Sequence, residues 1–165
     1  MKKYLALIML LTISSLTGCG FHLQHDTEVP ERFKTMSYIS YDPYGRLSRN
    51  IKELLHDNKV TLTDNNTAGP VPTLRMLSEN LSHNTISIYQ DGKAAEYQLV
   101  LTVEAQVVIA DQHTYPISVR VFRTFFDNPS EALAKTVEQD LIENEMFKQA
   151  ARQVIRKLKS IDTVN

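Results

Sequence analysis

Apolar residues along this chain recur at two spacings, and each change of spacing marks the edge of an element. Thr35 to Tyr41 alternates and predicts a first strand. Leu47, Ile51, Leu54 and Leu55 then recur at helical spacing, with Asp42-Pro43 ahead as cap and first-turn residues and Asp57-Asn58 closing the run. Asp64 to Pro70 is polar, rich in breakers, and predicts a loop. From Thr73 the period becomes two. Leu74 and Met76 share one parity, Leu81 falls on the other, and Ile86 and Ile88 return to the first. Such a slip predicts bulges in one long strand, or two short strands in succession. Asp91-Gly92 predicts a tight primed hairpin turn.

The clearest strand follows. Tyr97, Leu99, Leu101, Val103, Ala105, Val107 and Ile109 line one face, while Gln98, Thr102, Glu104 and Gln106 line the other. Asp111-Gln112-His113 turns the chain again. On the return, Ile117, Val119 and Val121 point inward and Arg120, Phe122 and Thr124 outward, with Pro116 suited to a strand start or an edge. Asn128-Pro129-Ser130-Glu131 carries the residues of a capping box. Leu133, Val137, Leu141, Phe147, Ala151, Val154, Ile155 and Leu158 then mark one apolar stripe of a long closing helix. Acids near its start and Lys148, Arg152, Arg156, Lys157 and Lys159 near its end suit the helix dipole. The fold class expected is α+β: a two-layer sandwich with two helices packed on one face of a mostly antiparallel four-stranded sheet. The other sheet face stays polar, which suits a monomer in water or a protein enclosed in a water-filled cavity.

The N-terminal segment has a different character. Lys2 and Lys3 precede an apolar run from Tyr4 to Leu11, and Leu16-Thr17-Gly18-Cys19 closes it. A basic start, an apolar stretch short for a bilayer and small residues at the end describe a secretory signal. A cysteine at the cut makes it a bacterial lipobox, so Cys19 is expected to become an acylated N-terminus bearing diacylglycerol and an N-acyl chain. Each buried methylene of those chains contributes about 0.8 kcal/mol of anchoring. The expected organisation is a signal peptide over 1–18, a lipidated tether over 19–34, one domain over 35–160 and a short tail over 161–165.

Composition narrows the function. The formal net charge is −1, and loss of the signal removes two lysines and no acid, leaving the mature chain more acidic. That argues against nucleic-acid binding by bulk charge. The one cysteine is consumed by lipid, so neither a disulfide nor a thiolate metal site is expected. No nucleophile elbow, phosphate loop or zinc-protease motif occurs, so no enzymatic activity is expected. His22 and His25 read as a solvated pair in a flexible lead, and His56, His83 and His113 share no spacing. Glu143 and Glu145 do not share a helix face. What remains is a lipid-anchored binding or structural protein with no cofactor beyond its lipid.

Four segments together resemble one family. Cys19-Gly20-Phe21-His22-Leu23 follows the lipobox, and Ala95-Glu96-Tyr97-Gln98 opens the long strand. Phe125-Phe126-Asp127-Asn128-Pro129 leads into Ala132-Leu133-Ala134-Lys135, and Glu145-Met146, Ala150-Ala151 and Ile155 to Leu158 fit the last helix. These are similar to the LptE family of LPS-assembly lipoproteins over essentially the whole mature chain. The resemblance implies a periplasm-facing lipoprotein of the outer membrane, seated as a plug in the LptD β-barrel, which it helps to assemble while the pair carries lipopolysaccharide to the outer leaflet. Gly20, rather than Asp, after the lipidated cysteine is consistent with outer-membrane sorting. Lipopolysaccharide presents phosphates and carboxylates, so a plug touching it needs aimed cations. Lys93 at the hairpin, Arg120 and Arg123 on the return strand, and Lys135 at the helix start are the candidates. Lys135 matches a basic position of the family, whereas Gln90 stands where some members carry a basic hairpin residue. The barrel contact is expected at the tips around Asp91-Gly92 and Asp111-His113 and at outward aromatics such as Tyr89 and Phe122. The alternative is a structural lipoprotein that braces the envelope through other proteins; an anchored cell-wall enzyme is disfavoured by the missing motifs.

Overall fold

The computed structural model describes residues 29–63, 71–109 and 113–161. Cys19 and the signal segment, His22, His25, the loop over 64–70, and Asp111 and Gln112 lie outside those residues. Among the described residues, five strands and two α-helices are arranged in the order β1 (Thr35–Ile39), α1 (Arg46–Asp57), β2 (Thr61–Leu62), β3 (Thr73–Ile88), β4 (Ala94–Ile109), β5 (His113–Phe126) and α2 (Ala132–Ser160). The sheet runs β2-β1-β3-β4-β5. β1 is parallel to both its neighbours, while β3, β4 and β5 form an antiparallel meander. The α+β class therefore holds, with one strand more than expected. That strand, β2, has two residues, too few to carry a period. It is set by the chain reversal after α1, where Lys59 takes φ 59° and Thr61 donates its amide to the Lys34 carbonyl.

Burial follows the alternation. Leu99, Leu101, Val103, Ala105 and Val107 of β4, and Ile117, Val119, Val121 and Phe125 of β5, all point to the helix layer and are buried. Leu47, Ile51 and Leu55 of α1 meet Met146, Phe147, Ala150, Ala151, Val154, Ile155 and Leu158 of α2 above them in one core. Ala150 and Ala151 are fully buried, and their small side chains let α2 approach its neighbours closely. The packed unit also begins before residue 35: Val29 and Phe33 are buried in the same core, joined to β1 by a single helical turn over Glu31–Phe33.

β3 is one continuous strand, with register shifts between Met76 and Ser78, Thr85 and Ser87, and Ser87 and Ile88. The first shift moves Leu81 onto the core-facing side, opposite Leu101. The turn after β3 is longer than the tight primed form. Gly92 N–H donates to the Tyr89 carbonyl and Tyr89 N–H to the Lys93 carbonyl, with Gly92 at φ 82°, so residues 90–92 form a three-residue loop with its left-handed position on glycine.

Both helix starts differ from expectation. α1 begins at Arg46 with Gly45 as its cap, because Asp42 is used in a turn of its own: its Oδ1 accepts the Tyr44 N–H at 3.3 Å and its carbonyl accepts the Ser48 hydroxyl. At α2 the reciprocal capping box does not form. Asn128 Oδ1 accepts from Ser130, Pro129–Glu131 makes one tighter turn, and the helix begins at Ala132 with Glu131 ahead of it.

The apolar stripe of α2 is also not continuous. Met146 to Leu158 is core, but Leu133, Val137 and Leu141 are 87%, 61% and 62% exposed. Leu133 and Val137 precede the buried Ala151 and Ile155 by about five helical turns and so share their face, but at this end of α2 that face is left uncovered, while Lys135 and Gln139 turn towards the cleft beside the sheet. The opposite sheet face is uncovered and mostly polar, as expected. Exceptions are Val100, between Ser82 and the exposed Phe122, and Phe126 further along β5, opposite Glu96.

Candidate functional site

The start of α2, the far ends of β3 and β4, and the end of β5 enclose a cleft of about 320 Å³. His83, Tyr97, Phe125, Asp127, Lys135, Thr136 and Gln139 line it. Each arrives by simple periodicity. His83 and Tyr97 lie on the core-facing side of their strands, and Tyr97 is paired with Phe125 across β4 and β5. Lys135 and Gln139 sit one helical turn apart on the inward side of α2.

Lys135 Nζ stands 5.5 Å from the centre of the Phe125 ring and bonds Glu138 at 2.8 Å, with its side chain 19% exposed. Bonding to Glu138 holds the ammonium above the ordinary lysine range, partly offset by desolvation, so it stays charged at neutral pH. Behind it lies a polar seam. Glu143, 8% exposed, accepts from Gln139 at 2.9 Å and lies 3.5 Å from Arg46 of α1 and 3.6 Å from His83 of β3. One carboxylate thus pairs α2 with the neighbouring helix through Arg46 and stands beside His83 of the sheet. Arg46 adds a bond to Asn144 and lies over the Phe147 ring. Glu79 extends the seam towards the β1–α1 loop, its pKa raised by burial and by the charge of Asp42, against a lowering hydrogen bond from Tyr41.

The four cations expected to act together are dispersed. Lys135 alone lines the cleft. Lys93 is at the hairpin tip, 3.2 Å from Asp91. Arg120 projects from the uncovered sheet face, in the row with Thr102 and Asn80. Arg123 projects towards α2, where it bonds Gln149 and the Phe122 carbonyl. Sequence reasoning missed His83, Tyr97, Phe125 and Glu143 as a group. The parity of His83 was available once the β3 bulge was allowed for; its proximity to Glu143 is tertiary and left no local trace. Among the described residues, no group of three or more His, Asp or Glu is disposed to hold a metal ion, and no helix is long and apolar enough to cross a membrane.

The family profile described as LptE, lipopolysaccharide-assembly, matches residues 33–158. This chain belongs to the LptE family. It is 48% identical over 160 residues to the LPS-assembly lipoprotein LptE of Pectobacterium atrosepticum, spanning 97% of this chain and 87% of that one. It is 44% identical to the protein of the same name from Photorhabdus laumondii, over 96% of this chain and 87% of that one. Among solved structures, the rare lipoprotein B of Shewanella oneidensis superposes with a TM-score of 0.71 at 34% identity, covering 78% of this chain and 96% of that one. Lipoprotein B of Nitrosomonas europaea reaches the same TM-score of 0.71 at 16% identity, over 88% of this chain and 94% of that one. That second likeness bears on the fold alone. The sandwich is thus the architecture of LptE-family lipoproteins, and its cleft belongs to a chain of a lipopolysaccharide-assembly family.

Proposed function

We propose that this LptE-family chain is a non-enzymatic component of the lipopolysaccharide translocon. Acylated at Cys19 and held to the outer membrane from the periplasmic side, it fills the lumen of the LptD β-barrel, aids its assembly and binds lipopolysaccharide for insertion into the outer leaflet. The lumen of such a barrel is polar. A sheet face carrying Ser82, Asn84, Gln98, Thr102, Glu104 and Arg120 is suited to a wet wall, with the exposed Tyr89 at the hairpin and Phe122 opposite Val100 as anchors.

The observation that carries the glycolipid part of this reading is the cleft at the start of α2. It sets one charged ammonium against an aromatic floor, so a phosphate can meet Lys135 while the adjoining apolar portion meets Phe125 and Tyr97. Lys93, at the tip of the hairpin, is a second contact for the same polyanion. Arg123 is engaged with Gln149, and Arg120 faces the lumen wall, so both contribute less.

Lys135→Glu is the direct test, measured as binding of purified lipopolysaccharide to the mature chain. Binding is expected to fall about tenfold or more, as the loss of one charge-assisted contact of ~1.5–3 kcal/mol implies. Lys93→Glu is expected to weaken it less, Arg123→Gln least, and barrel association to persist in all three. Unchanged binding in Lys135→Glu would remove the cleft from the account.

A further inference from the structure

Among the described residues, β5 is the one long strand at an edge of the sheet, 14 residues in length, and its outer backbone is a template on which another strand could form. Which residues face outward follows from the hydrogen bonds. In an antiparallel strand the N–H and C=O of one residue point to the same side, and successive residues alternate. Asp127 donates its amide to the Ala95 carbonyl, continuing the ladder towards β4, so odd-numbered residues bond β4 and even-numbered ones face away. Pro116, Ser118 and Phe122 are all even, and each is disabled by a different device. Pro116 has no N–H to offer. The Ser118 carbonyl accepts the ammonium of Lys157, 39 residues further along the chain on the last turns of α2, at 2.6 Å. The Phe122 carbonyl accepts the guanidinium of Arg123 at 2.8 Å, and the same guanidinium is braced by Gln149 of α2.

We infer that this is a guarded edge: α2 delivers Lys157 and Gln149 along β5 so that its outer carbonyls are capped by cations, preventing a second copy of this chain from pairing β5 against β5. An unguarded pair would join two five-stranded sheets into one continuous sheet across a two-fold axis. Ordinary surface lysines leave their ammonium in water. Here one ammonium and one guanidinium are both spent on main-chain oxygens of a single strand edge, on the side away from β4. The capping also explains why Arg123, an exposed cation near the glycolipid cleft, is turned away from it.

The test needs only the mature chain in detergent and a measurement of its size over a range of concentrations. Lys157→Met with Arg123→Met keeps the apolar stems and removes both donors. The double variant is expected to self-associate at concentrations at least tenfold below those at which the parent does, while Lys157→Arg with Arg123→Lys, which keeps two donors, stays monomeric. Amide hydrogen exchange at Arg120 and Thr124, two of the outward N–H donors in the middle of the edge, is expected to slow in the associated form. Far-ultraviolet circular dichroism checks that the fold persists. A folded double variant that stays monomeric would overturn the inference, as would association that leaves Arg120 and Thr124 exchanging as in the monomer. If the double variant fails to fold, the single variant Lys157→Met is measured for size and exchange in the same way, and the same two results would overturn the inference.

Discussion

The two ends of this sandwich are built from the same strands and the same helix, yet only one is closed. At the end that holds Leu74, Val107, Ile117 and the last turns of α2, both helices lie on the sheet and the contact residues are buried. At the other end α1 is absent, and Leu133, Val137 and Leu141 of α2 and Ile86, Ile88 and Tyr89 towards the hairpin are exposed, as are Phe122 and Phe126 on the opposite, uncovered sheet face. Apolar residues at strand and helix periods thus do two jobs here. In one half they hold the fold; in the other they stay exposed. The Lys135 cleft and the Glu143 seam sit at the boundary, where the core ends and the open half begins.

The sharpest way to break this comparison is to truncate one apolar residue from each half. Leu101→Ala opens a cavity in the closed half and is expected to cost about 2–5 kcal/mol in urea unfolding. Leu133→Ala, of the same chemistry on the open half, is expected to change stability by no more than about 0.5 kcal/mol. Equal losses would mean that the first turns of α2 are packed in solution, and the division would fail.

A smaller effect probes the boundary. Burial and Asp42 raise the pKa of Glu79, so its ionised form is disfavoured in the folded state. The sign follows from linkage: stability falls as pH rises from the unfolded carboxylate value, about 4.3, through the raised folded value. Glu79→Gln is therefore expected to stabilise the protein modestly at neutral pH, with the gain vanishing below about pH 4. Thermal unfolding at both pH values checks it; a loss of stability at neutral pH would show that the carboxylate is held by partners such as Arg46 rather than merely tolerated.

How much of this was legible in the sequence also divides by half. The alternation from Tyr97 to Ile109 and from Ile117 to Val121 named the buried side of β4 and β5 residue by residue, because a strand covered on one face has to alternate. The slip at Leu81 was readable as a bulge for the same reason. The stripe from Leu133 to Leu158 is equally regular, but periodicity reports only which residues share a face, never whether a partner lies against it. Leu133, Val137 and Leu141 therefore read as core that they do not enter. Caps failed for a related reason: Asp42 and Asn128 are good capping residues, but each spends its side chain on a turn of its own loop. The cleft was legible in part. Lys135 was named through the family resemblance, whereas its floor of Phe125 and Tyr97 and the seam through Glu143 join segments far apart in the chain.

The claim on which the rest depends is that the open half works against a large membrane β-barrel. Affinity purification of the tagged chain from detergent-solubilised outer membranes tests it most directly, with a Tyr89→Asp, Phe122→Asp variant run in parallel. The account predicts that the parent brings down one large β-barrel protein in a one-to-one ratio and that the variant, still folded, loses most of it. A parent chain that purifies alone, or a variant that retains its barrel undiminished, would contradict it.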